Sequence, residues 1–99
     1  MKILLVCEQG MSTSILLTKM EKEASNRNID ITIGALPLSE AEKVLDEWDV
    51  ILLGPQIKQA KMKLKLKGCK VPIGIINDKT YGLMEGERVL DQALELAKK

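Results

Sequence analysis

Apolar residues follow two spacings along this chain, and their alternation predicts its layout. Ile3, Leu4, Leu5 and Val6 form an unbroken apolar run closed by Cys7. That is the pattern of a strand covered on both faces, as in parallel sheets. Asp49 to Leu53 (DVILL) has the same character, and Val71 to Ile76 (VPIGII) makes another run with Pro72 near its start, where a strand tolerates proline. Ile29 to Leu36 (IDITIGAL) alternates apolar and polar residues through its first half, which fits a strand near a sheet edge.

Between these runs the spacing turns helical. From Ser12 to Arg27, Leu16, Met20 and Ala24 fall four apart, Ile15 and Leu17 flank them, and Lys19, Lys22, Glu23 and Arg27 face water. Pro37 breaks the next strand. Ser39 with Glu42 three residues on reads as a capping box that opens a short helix with Ala41, Val44 and Leu45 inward. Gln56 to Lys67 carries both signals: Ile57, Ala60 and Leu64 suit a helix, whereas KMKLKLK alternates like a strand. A parallel sheet needs a crossover at this point, so a helix is expected, ended by Gly68. Asn77 to Gly82 reads as a loop. Leu83 or Glu85 opens a last helix with Val89, Leu90, Ala93, Leu94 and Ala97 inward.

Strand and helix alternate four times, without an internal repeat, linker or low-complexity segment. The expected fold is α/β: a small open four-stranded parallel sheet with helices on both faces, in the flavodoxin-like order 2-1-3-4, as a single domain over residues 1–99. Ligands of such folds sit beyond the carboxyl ends of the strands, where the strand order reverses. Cys7, Gly54–Gln56 and Asn77–Tyr81 all follow strands at that end.

The segment after the first strand has definite chemistry. Gly10 permits a tight turn, and Ser12, Thr13 and Ser14 supply hydroxyls at a helix start. The N–H groups of such a loop and of the helix's first turn point to one spot and favour an anion there. A thiol at that spot is favoured as thiolate. An incoming phosphoryl group would meet a nucleophile inside a ring of donors. Two readings of Cys7 stand on the residues alone: a phosphoacceptor, or a buried structural thiol at a strand end.

Composition narrows the chemistry further. The chain has no histidine, which removes Ser–His and Cys–His catalysis and most zinc constellations, so neither metal nor cofactor is expected. Fifteen basic residues against fourteen acidic ones give +1, a balance that does not call for nucleic acid. No apolar run has the length of a membrane span, and the start lacks a signal-type pattern, so a cytoplasmic chain with two thiols is expected. Cys69 lies before the fourth strand, a strand's length from Cys7 and too far for a disulfide. Six lysines crowd residues 58 to 70. They read as a solvated helix face, or as a surface for an acidic partner or anionic lipid.

The start KILLVCEQGMSTS resembles the IIB domains (EIIB) of the bacterial phosphotransferase system (PTS), of the lactose, cellobiose and chitobiose class. That family carries a cysteine at the end of its first strand and a Gly-Met-Ser-Thr-Ser turn, matched by Cys7 and Gly10–Ser14. LLGPQI (residues 52–57) and Tyr81–Gly82 followed by Gly86 resemble it too. The resemblance implies a phosphocarrier. Cys7 would accept a phosphoryl group from a phosphohistidine on EIIA, within a phosphate-binding loop of Glu8, Gln9, Gly10, Met11, Ser12, Thr13 and Ser14. It would pass the group to a sugar, of β-linked disaccharide type such as cellobiose, chitobiose or lactose, during uptake through the membrane component EIIC. Gln56 and Tyr81 would frame the site. Glu8–Gln9, where small residues are usual, and Glu85, where an Asp is usual, depart from the family pattern.

The alternative is a small cysteine-dependent phosphatase or arsenate reductase of the low-molecular-weight type. Its loop closes with an Arg six residues after the Cys, where this chain has Thr13. A guanidinium there would clamp the transferring phosphoryl group. A receiver domain would need an Asp ending the third strand, where Leu53–Gly54 stand. A flavodoxin would stack its ring on aromatic residues, and only Trp48 and Tyr81 are present.

Overall fold

In a computed structural model of the chain, the described residues are 1–7 and 10–98, with the backbone alone described for 10–12. Strands β1 (Lys2–Cys7), β2 (Thr32–Pro37), β3 (Val50–Leu53) and β4 (Ile73–Ile75) form one parallel sheet in the expected order, β2-β1-β3-β4. Helices α1 (Gly10–Asn26), α2 (Leu38–Ala41), α3 (Ala60–Leu66), α4 (Asp78–Gly82) and α5 (Gly86–Ala97) connect and cover it.

The unbroken apolar runs are explained by the two faces. Successive strand side chains point to opposite sides, so Ile3 and Leu5, with Val50 and Leu52, meet Leu16, Met20 and Ala24 of α1 and Val89, Leu90 and Ala93 of α5. Leu4 and Val6, with Ile51 and Leu53, meet Ala41, Leu45, Ile57, Ala60 and Leu64 on the other side. β1 is central: Ile3 pairs with Ile33 on one edge and Val50 on the other. Among the described residues, no helix is long and apolar enough to cross a membrane.

The two edges of this frame depart from the sequence expectations. α1 opens at Gly10 instead of Ser12, and β2 spans Thr32–Pro37 instead of Ile29–Leu36, so Pro37 is the last residue of the strand and not the break after it. β2 is an edge strand, where a missing N–H is tolerated. Ser39 is no N-cap. α2 starts one residue earlier behind Pro37, without a side-chain cap bond. Glu42 does not reach back to a cap; it pairs with Lys63 at 3.1 Å and Lys67 at 3.0 Å, tying the end of α2 to α3.

The helix expected over 56–67 splits into a 3-10 turn, Pro55–Ile57, and α3, with Ile57, Ala60 and Leu64 buried as expected. The expected loop 77–82 is the helix α4, because Asn77 caps it: its Oδ1 accepts from the N–H of Lys79 at 2.9 Å and of Thr80 at 3.3 Å. β4 is only Ile73–Ile75. Val44 and Leu94 are half-buried and Ala97 is exposed. Leu96 takes the inward place in the last turn, its Cδ1 lying over Gly74.

α1 and α5 meet at closest range through Gly86. A Cβ there would lie 2.9 Å from the Lys19 carbonyl carbon and the Met20 nitrogen. These are main-chain atoms of a helix and cannot turn aside. Gly86→Ala should therefore lower unfolding free energy by about 1–3 kcal/mol in a denaturant titration. Gly82→Ala, with nothing within 4 Å of the added atom, should leave it nearly unchanged. Lys67 first, then Lys63, hold the Glu42 carboxyl below its ordinary value by hydrogen bonding. A folded-state pKa below the unfolded one stabilises the fold above the unfolded value, and that stability is lost as pH falls through the lowered one. Glu42→Gln should lower the Tm at pH 7, and its melting curve should converge with the parent's in acid.

Candidate functional site

β1 and β3 lie side by side, yet the chain leaves them toward opposite faces: α1 packs on the α5 side, α3 on the other. Their carboxyl ends are therefore the point where strand order reverses, the usual ligand position of an open parallel sheet. Cys7 ends β1 there, opposite Pro37 of β2. The N–H of Gly54 donates to the carbonyl of Val6 at 2.9 Å, holding the turn after β3 against the end of β1.

Two side chains close on Gly54. A Cβ at that position would lie 2.9 Å from Gln56 Oε1 and 3.7 Å from Tyr81 Cε2. Tyr81 stands at ordinary contact distance, and the exposed Gln56 side chain is the part that a larger residue would displace. The buried Tyr81 hydroxyl in turn lies 3.4 Å from Oγ1 of Thr13, itself buried in the first turn of α1. The end of β1, the start of α1, the turn after β3 and α4 thus converge, and with them three of the segments singled out in the sequence. Gln56 is exposed at the rim. Ser14 is exposed, its carbonyl accepting from Thr18 Oγ1 at 3.0 Å. Glu8 and Gln9, and the side chains of residues 10–12, lie outside the described residues.

The electrostatics come from the backbone. α1 is 17 residues long and has no acidic residue in its first turn, so its leading N–H groups keep their partial positive charge. Thr13, six residues after Cys7, brings a neutral hydroxyl. Both arginines of the chain are engaged elsewhere: Arg27 with Asp91 at 2.7 Å and Glu23 at 2.6 Å, Arg88 with Glu85 at 3.3 Å. Asp91, then Glu23, raise the Arg27 pKa further.

Cys7 is 2% exposed, so its thiol is closed to solvent in this structure. Neither cysteine is in a disulfide. Cys69 is half-buried in the turn before β4, its Sγ donating to the Val71 carbonyl at 3.7 Å. No group of metal-ligating side chains occurs among the described residues. The cap that opens the Tyr81 helix falls in a segment expected to be a loop. Its signal was present in Asn77, a preferred capping residue followed by the polar Asp78–Lys79–Thr80.

Comparison with known proteins points one way. Residues 2–92 match the family described as "PTS system, Lactose/Cellobiose specific IIB subunit". The chain is 34% identical over 97 residues to the oligo-beta-mannoside-specific EIIB component of Bacillus subtilis (strain 168), covering 96% of this chain and 94% of that one. It is 37% identical over 101 residues to the cellobiose-specific EIIB component of Lactococcus lactis subsp. lactis (strain IL1403), covering 95% and 94%. The solution structure of a cellobiose-specific phosphotransferase IIB component from Borrelia burgdorferi superposes with a TM-score of 0.83 at 44% identity, covering 99% of this chain and 92% of that one.

The Thr13–Tyr81 contact can be measured apart from any activity. A cycle of Thr13→Val, Tyr81→Phe and the double variant should give a coupling of about 0.5–1 kcal/mol in chemical denaturation, the range of a neutral hydrogen bond. Each single variant leaves one buried hydroxyl without this partner, so the double variant should be less destabilised than the two singles summed.

Proposed function

The chain belongs to the lactose/cellobiose-specific IIB family of the phosphotransferase system, and from that membership we propose that it carries a phosphoryl group on Cys7 between a donor protein and a sugar. The observation that carries this reading is the convergence at Cys7. The first turn of α1, Thr13, Gly54 and Tyr81 meet at the end of the central strand, and both arginines are tied up elsewhere.

In the first step the Cys7 thiolate attacks the phosphorus of a phosphohistidine on EIIA. The S–P bond forms as the N–P bond breaks, and the imidazole leaves with the electron pair. The absence of histidine here is consistent with an imidazole on the partner. In the second step a sugar hydroxyl held by the membrane component EIIC attacks the same phosphorus. The O–P bond forms as the S–P bond breaks, the hydroxyl's proton passes to solvent, and Cys7 leaves as thiolate. Main-chain N–H groups of residues 8–14, with the hydroxyls of Ser12, Thr13 and Ser14, would hold the equatorial oxygens in both steps.

A carrier must deliver its phosphoryl group to a sugar and not to water. Two features of the site support that. Burial of Cys7 limits the approach of water to the sulfur. Without a guanidinium clamp, the charge developing in a hydrolytic transition state lacks the stabilisation that a phosphatase supplies. Residues 1–99 are read as one EIIB domain working in the cytoplasm and meeting the membrane through EIIC. The two named relatives serve an oligo-β-mannoside and cellobiose at nearly equal identity. The sugar class proposed is a β-linked disaccharide such as cellobiose, chitobiose or lactose, with the final choice made by EIIC.

Mass spectrometry after incubation with phosphorylated EIIA tests the reading. The parent and Cys69→Ser should each gain one phosphate, and Cys7→Ser none. Label on Cys7→Ser would overturn it. Replacing Thr13 and Ser14 together with Ala should shorten the lifetime of the phosphocysteine and slow its transfer, read as loss of label over time.

A further inference from the structure

The lysines of residues 58–70 are not one solvated cluster; the fold sorts them. Lys63 and Lys67 turn toward α2 and pair with Glu42. Lys58, Lys61 and Lys65 lie on the outward side, around a depression of about 250 Å³ between α3 and the edge strand β4, lined also by Gln59, Met62 and Ile75. Met62 is 65% exposed and Leu66 beside it 81% exposed. Residues 58–70 contain six lysines and no acid, while the rest of the chain has nine basic and fourteen acidic residues. The segment therefore carries +6 and the remainder −5.

We propose that this outward face of α3 is a docking surface for the phosphoryl donor, which presents acidic side chains around one apolar side chain seated over Met62 and Ile75. The inference rests on the reading of a protein donor for Cys7. Even a transient partner buries up to about 600 Å² on each side, more than the ground around one cysteine, so it must spread onto a neighbouring surface. That ground is continuous. Pro37, opposite Cys7 in the sheet, lines a hollow shared with Ser39 and Gln59, and Gln59 also lines the α3 depression. A rim of single-sign charge around an exposed apolar centre is complementary to an acidic protein face and speeds its encounter. A bilayer is the poorer fit. The apolar centre is set into a concavity, and α3 has only seven residues, short for a helix lying along a membrane surface.

The test separates docking from transfer by using ¹⁵N-labelled Cys7→Ser protein with unphosphorylated EIIA of the same system. Amide shifts should concentrate at residues 58–66 and at Ile75, besides the rim of the site. Combined Lys58→Glu, Lys61→Glu and Lys65→Glu should slow association about tenfold and flatten its dependence on salt. Met62→Asp should speed dissociation. Lys22→Glu, on α1 across the sheet, should change neither rate. Circular dichroism checks that the exposed substitutions leave the fold intact. Unchanged association by the triple variant, or EIIA shifts that avoid α3, would overturn the proposal. So would shifts on these residues with phosphatidylglycerol vesicles and none with EIIA. A parent chain that took no phosphate would count against the carrier reading alone and leave this binding measurement standing.

Discussion

Everything in this molecule hangs on β1 being enclosed on all four sides. Its edges pair with β2 and β3, and its faces press into two separate apolar layers. Ile3 to Val6 are fully buried, so the strand has no freedom to slide: a slip of one residue would exchange the two faces and their partners. The position of Cys7 is thereby fixed. It follows the last residue of β1 in register with β3, since β3 ends at Leu53 opposite Val6. Past that pair the N–H of Gly54 reaches the Val6 carbonyl.

The proposed chemistry exploits that fixed point. Three elements that are distant in sequence supply one part each: α1 brings its first turn and Thr13, the turn after β3 brings Gly54 and Gln56, and α4 brings Tyr81. The Thr13–Tyr81 contact spans 68 positions of sequence. It ties the helix start to the segment after β4, so the donors are held by packing on a rigid scaffold. A site built chiefly from main-chain dipoles and neutral hydroxyls stabilises a dianion moderately. That matches a group that must both take and give a phosphoryl.

Charge is distributed by the same packing. Glu42, expected as part of a cap, faces α3 and draws two lysines inward, leaving three on the outer face around the depression. A nearly neutral total thus conceals a strongly dipolar surface. Long-range attraction depends on that surface and not on the sum.

Much of this was legible in the residues. Unbroken apolar runs identify buried parallel strands because both faces of each strand are covered. Helical spacing between them, with Gly68 at a terminus (φ 89°), identifies crossovers. Motifs following three strands locate the site end. Three local expectations gave way, two of them to tertiary partners and one to a cap within the segment itself. Ser39–Glu42 has the form of a capping box, but lysines across the gap to α3 claimed the carboxylate. Asn77–Gly82 reads as a loop until one side chain satisfies two N–H groups. Ala97 sits at an inward spacing, yet Leu96 found the room over Gly74.

By itself the sequence determined the alternation of buried strands and helices, the two-faced core and the cysteine at the end of the first strand, because periodicity and glycine placement act within a few residues of one another. Only the tertiary structure decided that Thr13 meets Tyr81, that Gln56 and Tyr81 close on Gly54, and which lysines face outward. Those outcomes depend on distances between segments far apart in the chain, and no local pattern encodes them.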